Sequence, residues 1–256
     1  MALLQMHEGI LYGPVNSRRY GRSLGINLMP VRDKLCSFNC VYCHYGLTRR
    51  CTLHAGKFAS ELPSADDVIS AVEQAMKSET AFDLITFSGN GEPTLHPDFP
   101  EIVNAVVDLR NRYRPAVKVA LLSNSTGLVR ERVREVLGRI DLPVLKLDAG
   151  SARIFHAVNR PARDVSFEEI TYLLADAGDI ILQTVLVDGT PSNVTPLDLQ
   201  AYFEQLVRIR PTEVHLYSID RPVPESDIRL VPPERLHKIA VQAKTETGIE
   251  VKVFHA

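Results

Sequence analysis

The chain has 256 residues, 45% hydrophobic and 23% charged, with 14 glycines and 16 prolines. This composition supports a large buried core and excludes collagen-like, low-complexity and long disordered chains, which lack the apolar surface to offset chain entropy. The formal net charge of -2 excludes a protein that grips nucleic acid mainly through a broad cationic face, although the charge is unevenly placed. Between Met1 and Ser60 stand Arg18, Arg19, Arg22, Arg32, Lys34, Arg49, Arg50 and Lys57 against Glu8 and Asp33 alone, so the remainder of the chain is acidic.

Short β-branched or apolar runs alternate with longer amphipathic ones. In chain order, strands are predicted at Leu24–Met29, Asp83–Phe87, Val117–Leu122, Val144–Leu147, Ile180–Val187 and Val214–Ile219, with an extra strand at Ile249–Phe254. Helices are predicted between them at Ala65–Lys77, Pro100–Asn111, Leu128–Leu137, Phe167–Ala177, Pro196–Arg208 and Pro233–Thr247. Ser64 with Asp67, Ser166 with Glu169 and Thr195 with Asp198 are start signals of the capping-box kind. Strict alternation means parallel strands with helical crossovers, because a tight turn cannot join a parallel pair. About six such units fall short of the eight of a closed barrel. The expectation is an α/β fold, an open (β/α)6 partial TIM barrel with outer helices, and a doubly wound sheet is the competitor. One domain is expected over residues 1–256: an N-terminal extension at 1–23, a barrel core at 24–225 and a C-terminal helix and strand at 226–256. Chemistry in either architecture belongs at the carboxyl ends of the strands.

All four cysteines, Cys36, Cys40, Cys43 and Cys51, lie within sixteen residues. A disulfide framework spreads its links through a small secreted fold, so this crowding points to metal binding in a reducing compartment. No run approaches the roughly 18 apolar residues of a membrane span, and the N-terminus lacks a basic region followed by an apolar one. A cytoplasmic protein with no membrane association is expected. The C-x3-C-x2-C spacing of Cys36, Cys40 and Cys43 brings three soft ligands onto one loop, which suits zinc or an iron-sulfur cluster. A zinc site would take its fourth ligand from His44 or Cys51.

The Cys36-x3-Cys40-x-Tyr42-Cys43 run resembles the signature of the radical S-adenosylmethionine (radical SAM) superfamily. The turn Phe87-Ser88-Gly89-Asn90-Gly91-Glu92-Pro93, directly after the second strand, resembles that superfamily's G-G-E-P motif, with Asn90 as a departure. The resemblance implies a 4Fe-4S cluster on Cys36, Cys40 and Cys43, with SAM on its open iron. It implies SAM contacts at Tyr42, Gly89, Asn90, Gly91 and Glu92, and at the strand-end residues Ser123, Asn124, Lys146 and Asp148. Tyr12–Arg19, Phe87–Pro97 and Tyr217–Glu225 resemble the branch of iron-sulfur oxidoreductases grouped with the wyosine-tRNA synthases.

Wyosine synthases use more chain, an additional cluster and added basic surface, and neither the cysteine count nor the 7% aromatic content provides for these here. A small, nucleobase-like substrate is therefore favoured over tRNA, with 7-deazapurine lyase chemistry of the queuine-salvage type as the sharpest form. In that reading Asp148, Asp220 and Glu225 pair with a guanine-like edge while Tyr45 or Tyr217 stacks on its face. The same carboxylates would equally pair with Arg153, Arg221 or Arg229. Arg18 and Arg19 bind a substrate anion, neutralise the cluster or form a solvated face. The basic cluster region suits an acidic electron donor such as flavodoxin or ferredoxin. The rivals are a tRNA-modifying enzyme, a glycyl-radical-enzyme activase, suggested by Cys43-His44, and a non-enzymatic zinc module.

Overall fold

The structure is a computed structural model that describes residues 3–17 and 19–254. An antiparallel hairpin opens the fold, β1 (Leu11–Ser17) and β2 (Gly21–Ile26), in which Tyr12 pairs with Gly25. Gly25 is required there: a methyl group on it would fall 2.1 Å from Tyr12 Cζ, so only glycine lets that ring lie flat on the strand. A two-residue pair follows, β3 (Leu35–Cys36) with β4 (Arg50–Cys51). The repeating units are then α1 (Ala65–Lys77), β5 (Leu84–Phe87), α2 (Phe99–Tyr113), β6 (Lys118–Ser123), α3 (Glu131–Leu137), β7 (Leu142–Lys146), α4 (Ala152–Asn159), α5 (Phe167–Asp176), β8 (Ile181–Gly189), α6 (Pro196–Ile209) and β9 (Glu213–Ser218). The chain closes with β10 (Ile228–Leu230), α7 (Pro233–Thr247) and β11 (Val251–Val253).

Strand order is β1-β2-β5-β6-β7-β8-β9-β11, with β10 antiparallel on β8. From β2 to β11 every neighbouring pair along this path is parallel. The order never reverses, so the switch point of a doubly wound sheet is missing and the architecture is the open partial barrel. Helices supply their apolar stripes to the sheet, as Val68, Val72 and Met76 do on α1 at helical spacing. All three expected caps form: Ser64, Ser166 and Thr195 accept from Asp67 N, Glu169 N and Asp198 N at 3.1, 3.2 and 3.3 Å.

Beyond the unpredicted short strands β3, β4 and β10 and the later start of α3, three departures from the sequence reading bear on the site. The first parallel strand ends at Ile26 rather than Met29, because Asn27 turns its amide onto Met29 O (2.9 Å) and its backbone N–H onto Ile10 O (2.7 Å). The segment expected to be an extension contains β1, a strand of the main sheet. Helix α4 was not anticipated; it is short, lacks a side-chain cap and stops at Arg160 with φ 45°. It is nevertheless held by buried Ile154, Phe155 and Val158, with Phe155 edge-on to Phe38 at 5.3 Å. No helix among the described residues is long and apolar enough to cross a membrane.

Candidate active site

Two neighbouring elements fix the cysteine loop. Leu35 N donates to Asn90 O (3.2 Å) and Glu92 N donates to Leu35 O (3.1 Å), a single bridge between β3 and the turn after β5. That bridge explains Gly91, whose φ is +152° and on which a Cβ would fall 1.7 Å from Leu35 O. On the other side, Val41 N donates to Val158 O (3.0 Å) and Asn39 N to Asn159 O (3.0 Å). The last carbonyls of α4, which lack helical partners, thus hold the middle of the loop.

Cys36, Cys40 and Cys43 all line one cavity of about 400 Å³. Amide donors face two of the sulfurs: Asn124 Nδ2 lies 3.5 Å from Cys36 Sγ and Asn159 Nδ2 3.5 Å from Cys40 Sγ. Burial pushes the Cys36 thiol far up, and burial lifts Cys40 to about 11 even though Lys146 pulls it down. Among the described residues no three His, Cys, Asp or Glu side chains group closely enough for a single ion. Thiols spread around one cavity, with amide N–H groups aimed at sulfur, fit a polynuclear centre, and fit a zinc ion less well. Cys51 pairs with Cys36 in the β3–β4 register but its thiol sits 4.0 Å from Arg160 O, outside the cavity lining.

The strand ends supply the rest of the wall. Gly89, Gly91, Glu92, Ser123, Asn124 and Lys146 all line the cavity, as does Tyr42 from the loop. Glu92 is saturated: Oε1 accepts from Thr94 N (3.0 Å), Thr94 Oγ1 (2.6 Å) and Ser123 Oγ (2.8 Å), and Oε2 from Asn124 N (2.6 Å). Burial raises its pKa, and those four donors oppose the rise. Its carboxylate therefore ties the turn after β5 to the end of β6. Burial also acts to lower the Lys146 pKa, but Asp148, Tyr217 and the Cys40 and Cys43 thiols outweigh it, so the ammonium stays charged over the Tyr42 ring at 5.1 Å.

Several expected contacts lie elsewhere. Asn90 is fully buried and turned from the cavity: its Nδ2 donates to His7 O (2.8 Å) and Pro30 O (3.0 Å), and its Oδ1 accepts from His7 N (2.8 Å). Asp148 sits behind the loop as an anchor, accepting from Tyr42 Oη, Asn159 Nδ2 (2.6 Å) and Val185 N (2.8 Å) and lying 3.7 Å from Lys146. Glu225 is bound by Arg160 at 2.7 Å and Asp220 lies 3.6 Å from His44, both outside the cavity lining. The arginine partner of Glu225 thus comes from the α4 cap rather than from Arg153, Arg221 or Arg229. Arg19 reaches the site indirectly, donating to Gln183 Oε1 at 2.8 Å and lying 6.0 Å from the Tyr217 ring centre. Arg18 lies outside the described residues.

Tyr45 and Tyr217 line the cavity as anticipated. Four further residues matter to the site: Tyr12, Gln183 and Leu4 in its wall, and Asn159 behind Cys40. Asn159 had no signal because α4 itself was unseen, and Leu4 belongs to no repeating element.

The sequence description of the Radical SAM superfamily matches residues 34–191, which begin just before the cysteine loop and run through β8. The UPF0026 protein of Synechocystis sp. is 35% identical over 222 residues, covering 84% of this chain and 77% of that protein. Among solved structures, a radical SAM methyltransferase from Sphaerobacter thermophilus superposes with TM-score 0.62 at 17% identity, covering 91% of this chain and 65% of that one. TYW1 with a lysine-pyruvate adduct superposes with TM-score 0.57 at 14% identity, covering 87% and 73% respectively. At these identities the two structures share the barrel, and the family match supplies the membership. The chain belongs to the radical SAM superfamily, whose enzymes use a 4Fe-4S cluster and S-adenosylmethionine.

Proposed function

We propose that Cys36, Cys40 and Cys43 ligate the cluster, that Gly89, Gly91, Glu92, Ser123, Asn124 and Lys146 form the SAM-binding wall, and that the substrate is a small, flat, nucleobase-like molecule. The observation that carries this reading is the single cavity of about 400 Å³ that joins the three thiols to the ends of β5, β6, β7 and β9. Cys36, Cys40 and Cys43 would hold the cluster and the strand-end wall would hold SAM, and together, with an electron from an external donor, these groups would supply radical hydrogen-atom abstraction from the substrate.

The chain's own residues do the rest. Glu92 holds the glycine turn against β6, so the backbone oxygens near Gly89 and Gly91 are fixed before a ligand arrives. Lys146 offers a fixed positive charge to the anionic thiolate loop and to a ligand carboxylate. Asn124 and Asn159 donate to sulfur, which stabilises thiolates.

Support for a flat substrate comes from Tyr12, Tyr45 and Tyr217 in the wall and from the Gln183 amide, whose oxygen is held by Arg19. Asp148, Asp220 and Glu225 do not present a guanine-like edge to this cavity, since all three bond or pair with other protein groups outside its lining. The basic balance of residues 1–60 supports an acidic reductant such as flavodoxin or ferredoxin, and a reducing cytoplasm agrees with four free thiols. The test is 5'-deoxyadenosine formation by anaerobically reconstituted protein with SAM and reductant, with 7-deazapurines, bulk tRNA or no addition. Stimulation by the small heterocycles is expected; stimulation by tRNA alone would replace this substrate class with a tRNA-modifying one.

A further inference from the structure

The segment Leu3–Gly9 is irregular and largely exposed, yet Leu4 and His7 bond it to residues around the cavity. Leu4 N donates to His44 O in the cysteine loop (2.9 Å), and Leu4 itself lines the cavity. His7 is the hub. Its backbone N–H and C=O both bond the Asn90 side chain at 2.8 Å. Its ring stacks on Tyr12 with centroids 3.5 Å apart and planes within 10°, and its Nε2 shares a hydrogen bond of 2.8 Å with Tyr45 Oη. Tyr12 Oη in turn meets Ser88 Oγ at 2.5 Å. Tyr12, Tyr45 and Ser88 all line the cavity, so one histidine outside it fixes two of its aromatic faces.

We infer that Leu3–Gly9 is the closing wall of the reaction cavity, clasped by Asn90, and that His7 is a positioning residue setting Tyr12 and Tyr45 for a planar ligand. Asn90 explains why the clasp belongs to the site. It sits between Gly89 and Gly91, and its own C=O accepts from Leu35 N at 3.2 Å, one residue before Cys36. The strap, the glycine turn and the cysteine loop are therefore one bonded unit. Both donors and the acceptor of the Asn90 amide are used, two of the three bonds going to His7 backbone, so a loose strap leaves a buried amide unsatisfied.

The test uses Asn90→Ala and His7→Ala in the full chain, with two readouts. The first is hydrogen exchange of the amides of residues 4–9 in protein without cofactor; the second is the rate at which a ferrous chelator bleaches the reconstituted protein. Exchange of the amides at positions 4 and 7 is expected to rise about ten-fold or more in Asn90→Ala, with α2 and α6 unchanged, and to rise less in His7→Ala, which keeps the backbone bonds to Asn90 and loses only the ring contacts with Tyr12 and Tyr45. Bleaching is expected to accelerate in both variants, and in His7→Ala, which keeps every Asn90 bond, to do so without a matching loss of Tm, which a role in stability alone would not produce. Exchange within about two-fold of the parent in Asn90→Ala removes the clasp, because a lost buried hydrogen bond is a larger effect. Faster exchange with unchanged bleaching removes the wall. The inference rests on the proposed reading only for the second readout: protein that takes up no cluster refutes the cysteine assignment and leaves exchange to decide the strap. Should Asn90→Ala fail to fold, Asn90→Asp carries the comparison, since its carboxylate still accepts from His7 N–H but cannot donate to His7 O.

Discussion

Gly91→Ala is the sharpest test of how the barrel aims its cysteine loop. The added methyl would lie 1.7 Å from Leu35 O and 2.6 Å from Leu35 C, backbone atoms that a rotamer change cannot move, at a φ of +152° that side chains rarely adopt. Relief requires opening the bridge, with loss of Leu35 N to Asn90 O and Glu92 N to Leu35 O. Two such bonds contribute about 1–3 kcal/mol together, and the backbone strain adds about 1–3 kcal/mol. A total of about 2–6 kcal/mol is a large fraction of the roughly 5–15 kcal/mol that stabilises a typical domain. Because Cys36 follows Leu35, the displaced bridge carries a sulfur out of place as well. Urea denaturation of the metal-free protein is therefore expected to show the stability loss, and iron and sulfide content after anaerobic reconstitution to fall with it. Gly138→Ala is the matched control, since a methyl there meets nothing within 4 Å and the residue already has a right-handed helical conformation. A Gly91→Ala protein with parental denaturation midpoint and full iron would refute the bridge as the device that positions Cys36.

Asp148→Asn is expected to cost about 3–5 kcal/mol, the usual cost of stripping one partner from a buried charge pair. Donors face both its oxygens, so either amide orientation sets N–H against N–H; parental stability in urea would contradict its role as the loop's anchor. Cys40→Ala is expected to abolish iron and sulfide uptake while Cys51→Ser retains both, and equal iron content in the two variants would overturn the ligand assignment. Acidification is expected to destabilise the protein through His96. Burial lowers its pKa although the bond to Pro63 O opposes this; Nε2 lies 2.9 Å from Pro63 O, and Nδ1 accepts from Asp98 N at 3.1 Å, leaving no room for a second ring proton. The unfolded chain takes that proton near pH 6.5 and the folded chain resists it, so stability is full above about pH 6.5 and falls below it. Tm is expected to drop between about pH 7 and pH 5.5, with a shallower drop in His96→Gln; a rising profile would reverse the sign.

The sequence determined what short-range physics can express. Period-2 and period-3.6 patterns, with Ser64, Ser166 and Thr195 as caps, were enough for the parallel alternation and the open barrel, because these signals repeat along the chain and support one another. Close spacing likewise exposed Cys36, Cys40 and Cys43 and the Gly89–Glu92 turn, since ligands on one loop must be near in sequence to converge. The roles of single polar side chains were decided only in three dimensions. Asn90, Asp148 and Glu225 stand beside the right motifs yet turn to His7, Tyr42 and Arg160, partners 83, 106 and 65 residues away. Asn159 and His7 carry no local pattern at all, and their work exists only because the barrel brings α4 and the N-terminal strap to opposite sides of one loop. A buried polar group bonds whichever partner packing delivers, and that delivery is a property of the closed tertiary structure.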